Sequence, residues 1–469
     1  MTFLYFANAP GSAILASINT MTLVSEAIAR YHKLIESEPY IDLAWAHALQ
    51  ERIKSEKLDG RPVSPVLRPH LITQKDYAAL VRASETLLSA IARVERLALD
   101  TPALLARMQL LPAEKMLAAV DPGYSTVGIT ALLDAAIHDG SIRFTGFNSE
   151  APAGVLYGDA LSDLYYEAPP VKQFRKKYKL QKLGGAKHLL GGLLKAYKEF
   201  GGKQKKPNIA IVEFKAPFAA ASSDHALLAE FFAREGYPAE VVSPEQLEYR
   251  NNVLRRGDFN IDILYRRIKV QEFLVRFDLN HALVRAYKEH AVCMVNSFRA
   301  DIGSKRVIFD LLTDEKITGK FPAAEKRAIK EFVPWTRLVQ AAKTTYNGRT
   351  VDLPEFVMKH RNKLVLKPND DSMDLHPVRG AEVDEAGWEK ALRQAMRNPF
   401  VVQEAVDPTH AVFPLMQYGS LIMKDMVVHL HPHAFLGKVY GASSWLSVAE
   451  ASGFSTLTGL APTFLLEGK

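Results

Sequence analysis

Cysteine is almost absent from this chain of 469 residues, which has one. That excludes an internal disulfide framework and the clustered thiolates of a structural zinc site. Cys293 lies in the apolar run Ala291-Val-Cys-Met-Val295, so it reads as core filler rather than a nucleophile. Charge is missing before Glu26. Without basic residues the stretch has no n-region of an export signal, and Asn8, Pro10, Gly11 and Asn19 interrupt any run long enough to span a bilayer. We expect a cytoplasmic protein with no membrane segment, an apolar leader over residues 1–20, and Met21 as an alternative start.

A basic surface spread over the whole molecule is also lacking. The net charge is +7, yet twelve lysines and arginines fall between Val171 and Pro207 against the single acid Glu199, which leaves the rest of the chain net acidic. Stacking aromatics are not interleaved there, so nucleic acid is not expected as a partner. With Gly184, Gly185, Gly191, Gly192, Gly201 and Gly202, segment 171–207 reads as a solvated, mobile connection. The 48% hydrophobic and 24% charged residues are ordinary globular material, enough for two or three domains.

The remaining pattern has three parts. Residues 21–124 are helical: Tyr77, Leu80, Val81, Leu87, Leu88, Ile91 and Val94 recur at helical spacing, and Thr73 with Asp76 resembles a capping box. Residues 125–300 alternate strands and helices, with strands at Ile209–Val212, Ala239–Val242, Asn260–Tyr265 and Ala291–Val295 and helices at Asp224–Arg234 and Gln271–Tyr287. That is a doubly wound α/β domain, whose ligands gather at the carboxyl ends of strands, where Arg266, Arg267 and Arg299 sit. Arginine there suits a carboxylate or phosphate through two parallel hydrogen bonds. Asn148 and Glu150, in Arg143-Phe-Thr-Gly-Phe-Asn-Ser-Glu-Ala-Pro-Ala-Gly154, stand at another strand exit as candidate substrate contacts. Residues 301–469 are the third part.

In that third part, Lys363-Leu-Val-Leu-Lys-Pro-Asn-Asp-Asp371 alternates lysine with apolar residues, which on a strand puts Lys363 and Lys367 on one face. Phe400-Val-Val-Gln-Glu404 is a short apolar strand ending in two polar groups that could meet a purine, with Ala405 and Val406 bordering it. Lys305, in Gly303-Ser-Lys-Arg306, falls in what reads as the first turn of a helix capped by Ser304, where an anion would be favoured. His429, His431 and His433 alternate on one strand and could suggest zinc, but Pro432 disturbs that strand and no fourth ligand is evident.

The run Leu364-Val-Leu-Lys-Pro-Asn-Asp370 with Val401-Val-Gln-Glu404 resembles the ATP-grasp fold, specifically the circularly permuted group similar to the synthetase half of glutathionylspermidine synthase. The Asn148–Pro152 element, the run Ile261–Arg267 and Pro334-Trp-Thr-Arg337 resemble the same group, so the resemblance spans roughly residues 125–465. It implies α/β and α+β architecture with ATP-grasp lobes over 301–469, and ATP as cofactor held by Lys305, Lys367, Gln403, Glu404, Ala405 and Val406. It also implies an ATP-dependent ligase joining a small-molecule or peptide carboxylate to an amine or thiol through an acyl phosphate. Arg266 and Lys305 would be its catalytic cations, and Asn148, Glu150, Arg266 and Arg299 its substrate contacts.

Two departures matter. The loop Ser372-Met-Asp-Leu-His-Pro-Val-Arg-Gly380 has glycine only at its end, where the family has a glycine-rich phosphate loop. By the resemblance His431 replaces an aspartate and Ser455 an asparagine, both family ligands of Mg2+, an ion that prefers hard oxygen donors. Glu404, Glu450 and Asp425 remain to rescue a metal site, Asp425 foremost. The alternative reading is therefore a degenerate ATP-grasp protein that binds nucleotide or a partner without turnover.

Overall fold

The structure is a computed structural model and describes residues 22–55, 64–138, 140–214, 224–370, 375–448 and 458–468. The leader and Met21, the loop residue Ser372, and Glu450 and Ser455 lie outside the described residues.

Three sheets of four or more strands organise the chain. The largest has eight strands. Its main order is His70–Thr73, Thr458–Gly468, Lys438–Val448, Ser420–Phe435, Thr130–His138, Ser141–Asn148. Thr409–Gln417 adds to Ser420–Phe435, and Tyr178–Lys182 adds to Thr458–Gly468. Segments from both ends of the sequence thus interleave, and strand pairing crosses the divisions expected at residues 124 and 300. The reason is hydrophobic: Leu133, Ala135, Phe144 and Leu430 bury one face against Leu87, Ile91 and Val94 of the long helix Gln74–Asp100. That helix begins as expected, with the Thr73 hydroxyl oxygen accepting from the Asp76 amide at 3.0 Å.

A four-stranded parallel sheet runs Cys293–Val295, Ile263–Arg266, Ile209–Val212, Ala239–Val242. Its helix Asp224–Arg234 has the expected bounds, whereas the expected helix Gln271–Tyr287 is two, Val270–Arg276 and Ala282–Lys288. An antiparallel sheet runs Thr336–Leu338, Phe400–Glu404, Leu364–Pro368, Val378–Arg379. Helices Leu353–Lys359 and Glu385–Ala395 cover one face of it, burying Val357, Trp388, Leu364, Leu366, Phe400 and Val402 together.

The basic segment is not a bare connection. It forms the strand Tyr178–Lys182 and the helix Ala186–Glu199, whose Leu189, Leu190, Leu193 and Ala196 are buried. Apolar residues at helical spacing outweigh the glycines, and the lysines pair outward, Lys172 with Glu167 and Lys179 with Glu467. Cys293 is buried in the parallel sheet, and burial pushes its thiol well up, as core filler requires. Among the described residues no helix is long and apolar enough to cross a membrane.

Candidate functional site

Strand register decides which polar groups meet. Lys367 lies opposite Val401 and Val365 opposite Gln403, so Lys367 and Gln403 share one face of the antiparallel sheet. The Lys367 ammonium donates to Gln403 Oε1 at 2.8 Å and to the Thr145 carbonyl at 3.1 Å. Thr145 belongs to Ser141–Asn148 of the large sheet, so the lysine bridges the two sheets at the seam where they face each other. Gln403 is held in turn by the Thr336 hydroxyl, to which its Nε2 donates at 3.0 Å.

Glu404 turns to the opposite face. Its carboxylate accepts from the Trp335 amide at 3.2 Å and the Tyr346 hydroxyl at 2.8 Å. The chain leaving the strand is fixed by the Ala405 amide donating to the Lys363 carbonyl at 2.8 Å and by Arg379 donating to the Val406 carbonyl at 3.0 Å. Lys363 itself does not join the strand. It ends a 3-10 turn, Arg361–Lys363, and is exposed, because the bonded strand begins only at Leu364. The two lysines expected on one strand face are therefore reduced to one.

A second polar group borders the same seam. Asp134, the lone acid of the apolar strand Thr130–His138, accepts from the Thr145 hydroxyl at 3.0 Å on Oδ2, while its Oδ1 lies 3.1 Å from His429 Nδ1 and 3.7 Å from His431 Nε2. Burial alone would raise the Asp134 carboxyl, but the hydrogen bonds and charge of His429 and His431 outweigh it and hold the group well below the carboxylate range. The bond to Asp134 raises His429, against burial and the charges of Lys367 and Arg379. His433 is turned into the core beside the Ser443 hydroxyl at 3.0 Å, where burial lowers it to about 3 and keeps it neutral. The three histidines therefore do not form one set. The strand shifts register between Pro432 and Ala434, as the proline suggested.

Lys305 is placed differently from expectation. The helix Asp301–Ser304 ends before it and Val307–Leu312 begins after it, so Ser304 does not cap a helix that Lys305 opens. The Ser304 hydroxyl instead accepts from the amides of Ser149 and Glu150, at 3.1 and 2.8 Å. The Lys305 side chain is 0% exposed and contacts Glu114 at 2.9 Å, Asp370 at 2.8 Å and Asp301 at 3.4 Å. Burial works against its charge, but Asp301, Asp370 and Glu114 together raise the ammonium above its ordinary value. Burial and the neighbouring Glu150 push Asp301 well above the carboxylate range.

Arg266 ends its strand as expected, but its guanidinium is buried. It donates to the carbonyls of Asn296, Ile268 and Ser297 at 3.1, 2.6 and 3.2 Å, and lies 3.5 Å from Glu150 Oε1. Glu150 also accepts from the Val270 amide. Asn148 folds back, its Oδ1 accepting from the amides of Glu150 and Ala151 at 3.0 and 3.2 Å, an Asx turn. Arg299 caps a helix end, donating to the carbonyls of Ala118 and Ala119. The four expected substrate contacts thus satisfy one another and the backbone.

Asp425 is exposed and pairs with His410 Nδ1 at 2.9 Å on the neighbouring strand. Among the described residues no three His, Cys, Asp or Glu side chains are grouped to hold a metal. At the seam the carboxylate found among the described residues, Asp134, already has its oxygens taken by Thr145 and His429, with His431 nearby, a poor donor set for Mg2+. The residues present do not fit that ion. A separate cavity of about 620 Å³, lined by Asp159, Asp163, Lys187 and Arg234 among others, contains none of the expected catalytic, nucleotide, substrate or metal contacts.

Sequence reasoning missed Asp134 and Thr145. A solitary carboxylate in the apolar run Ala131-Leu-Leu-Asp-Ala-Ala-Ile137 was the available signal, since such a group is buried only with partners.

No family model matches the chain, and no curated protein matches it. Solved structures do. A glutathione synthetase-like effector from Globodera pallida, in apoform, is 13% identical with a TM-score of 0.59, covering 92% of this chain and 98% of its own. A putative gamma-glutamylcysteine synthetase from Methylobacillus flagellatus is 10% identical with a TM-score of 0.42, covering 82% of this chain and 86% of its own. The first likeness shows the fold, a mixed helix-and-sheet architecture of the ATP-grasp type.

Proposed function

We propose that this protein binds ATP at the seam between the antiparallel lobe and the large sheet, as a ligase of the ATP-grasp type. The observation that carries the reading is the pair Lys367 and Gln403, an ammonium and an amide held 2.8 Å apart on one face and tied across the seam to Thr145. Lys367 is suited to a phosphate, and Ala405 and Val406, leaving the same strand as Gln403, to the adenine edge. The reaction class would be ATP-dependent joining of a small-molecule or peptide carboxylate to an amine or thiol. The γ-phosphoryl group passes to the carboxylate, ADP leaves, and the nucleophile displaces phosphate from the acyl phosphate. Within this reading the chain's own task is to position the reactants and neutralise charge.

A second reading, binding without turnover, is favoured by one specific observation: the two cations expected to stabilise the transfer, Arg266 and Lys305, are both buried and fully engaged by carbonyls and carboxylates. Isothermal titration with ATP tests the binding, and ADP release with and without a panel of carboxylates and amines separates the two readings. Tight binding with ADP release below about a hundredth of an ordinary turnover of roughly 10 per second favours the second. Acceptor-dependent ADP release at ordinary rates establishes the first.

A further inference from the structure

We propose that His429, braced by Asp134 and flanked by His431, is an imidazolium clamp for the nucleotide's phosphates, and that this seam neutralises them without Mg2+. The inference rests on the ATP-binding reading above and adds what the site uses for charge.

The geometry supplies the argument. Thr145 joins the two halves of the seam: its hydroxyl donates to Asp134 Oδ2 and its carbonyl accepts from the Lys367 ammonium. Asp134 Oδ1 faces both His429 Nδ1 and His431 Nε2. His429 therefore has one ring nitrogen engaged and one remaining, with His431 near the same oxygen but beyond hydrogen-bond distance, and an imidazolium donates from both its nitrogens. The side chains are open enough to be reached, 38% exposed for His429 and 22% for His431. The groups facing His429 are Asp134 on the neighbouring strand, Lys367 and Arg379 from the antiparallel lobe, and His431 on its own strand. Further along that strand His433 is neutral beside Ser443. Lys367 and Arg379 act on the histidine as like charges that lower it, and the hydrogen bond to Asp134, which raises it, outweighs them. Among the described residues, a metal ion would have to compete with the His429 imidazole and the Thr145 hydroxyl for that carboxylate.

The sign of the pH dependence follows. A histidine raised by an acidic partner is charged below its own pKa and loses the charge as pH rises through it, so the phosphate contact is strongest in mild acid and weakens as pH climbs above the ordinary histidine range.

The test is isothermal titration of ATP, and of adenosine as a probe without phosphate, into the natural chain and into His429→Gln and His431→Gln, at pH 6 and pH 8, in EDTA and in magnesium. The terminal phosphate of ATP titrates identically in every arm, so the readout is the difference between proteins. We expect ATP to bind the natural chain in EDTA about tenfold more tightly at pH 6 than His429→Gln does, the gap narrowing as pH rises, with adenosine indifferent to both pH and substitution. ATP binding that vanishes in EDTA, or that keeps the same pH profile in the glutamine variants, overturns the clamp and leaves the nucleotide site standing. No ATP binding by the folded natural chain under any condition overturns both. Should a variant fail to fold by circular dichroism, the EDTA arm of the natural chain still decides against or for a metal-free site.

Discussion

The Lys305 ammonium lies 2.9 Å from the Glu114 carboxylate, with neither side chain exposed to solvent. A cation placed there by the sequence as a phosphate contact is thereby a structural ion, closed in by Glu114, Asp370 and Asp301. Removing it strands carboxylates in the interior. Lys305→Met is expected to lower stability by about 3–5 kcal/mol, measured by urea unfolding. A loss under 1 kcal/mol contradicts the assignment.

Lys367→Ala is the corresponding change at the seam. Charge-assisted contacts contribute about 1.5–3 kcal/mol, so ATP affinity should fall roughly ten- to a hundredfold, with little change in melting temperature because the ammonium is only half-buried. Unaltered affinity in titration calorimetry removes the seam as the nucleotide site.

Two glycines should respond to the same substitution with opposite sign. A Cβ on Gly303 would come within 2.2 Å of Glu95 Oε1 and 2.6 Å of Ser149 Oγ, whereas one on Gly191, inside the helix Ala186–Glu199, meets nothing within 4 Å. Gly303→Ala is expected to cost about 1–3 kcal/mol by overpacking. Gly191→Ala should stabilise by roughly 0.5–1 kcal/mol through helix propensity. Thermal melts of the two variants check the pair.

Glu95 offers a pH test. Burial, only partly opposed by the charge of Arg96, raises its carboxyl from 4.5 to about 8, and Oε1 has no hydrogen-bond partner. Between those values the unfolded chain gives up a proton that the folded chain retains, so stability falls as pH rises from about 4.5 to 8. Glu95→Gln, which keeps the shape without the titration, should melt higher than the natural chain at pH 8 and close to it at pH 4.5. A gap that is constant across that range refutes the buried, protonated state.

Much of the fold was readable because it is written locally. Asp224–Arg234 and Ile209–Val212 carry their own periodicity, and Thr73 announces the helix that follows. Lys367 and Gln403 were legible as strand residues for the same reason, but the alternation that joined Lys363 to Lys367 does not hold, and the face Lys367 shares with Gln403 follows only from the pairing of their strands. What escaped depends on residues distant in sequence. Nothing near Arg266 tells that Glu150, 116 residues earlier, will close against it, nor that Glu114 will enclose Lys305 from 191 residues away. Charged residues with functional spacing were read as reaching for ligands, when the chain supplies its own counter-ions. The helix Gln271–Tyr287 failed for a local reason: Asp278 and Asn280 bond their own neighbourhood, with the Asn280 amide donating to Asp278 Oδ1 at 2.8 Å, and the helix breaks there.

The eight-stranded sheet dictates an order of assembly. His70–Thr73 lies parallel to Thr463–Leu466, so an earlier strand holds its place beside a partner made far later. At a translation rate of about 5–20 residues per second, the early strand and the apolar face of Gln74–Asp100 wait tens of seconds for that partner to emerge from the ribosome. Such long-range pairing slows folding and leaves an unpaired edge open to other chains in the interval. The sheet is therefore expected to close only once Thr458–Gly468 has been made, and not on completion of any earlier segment.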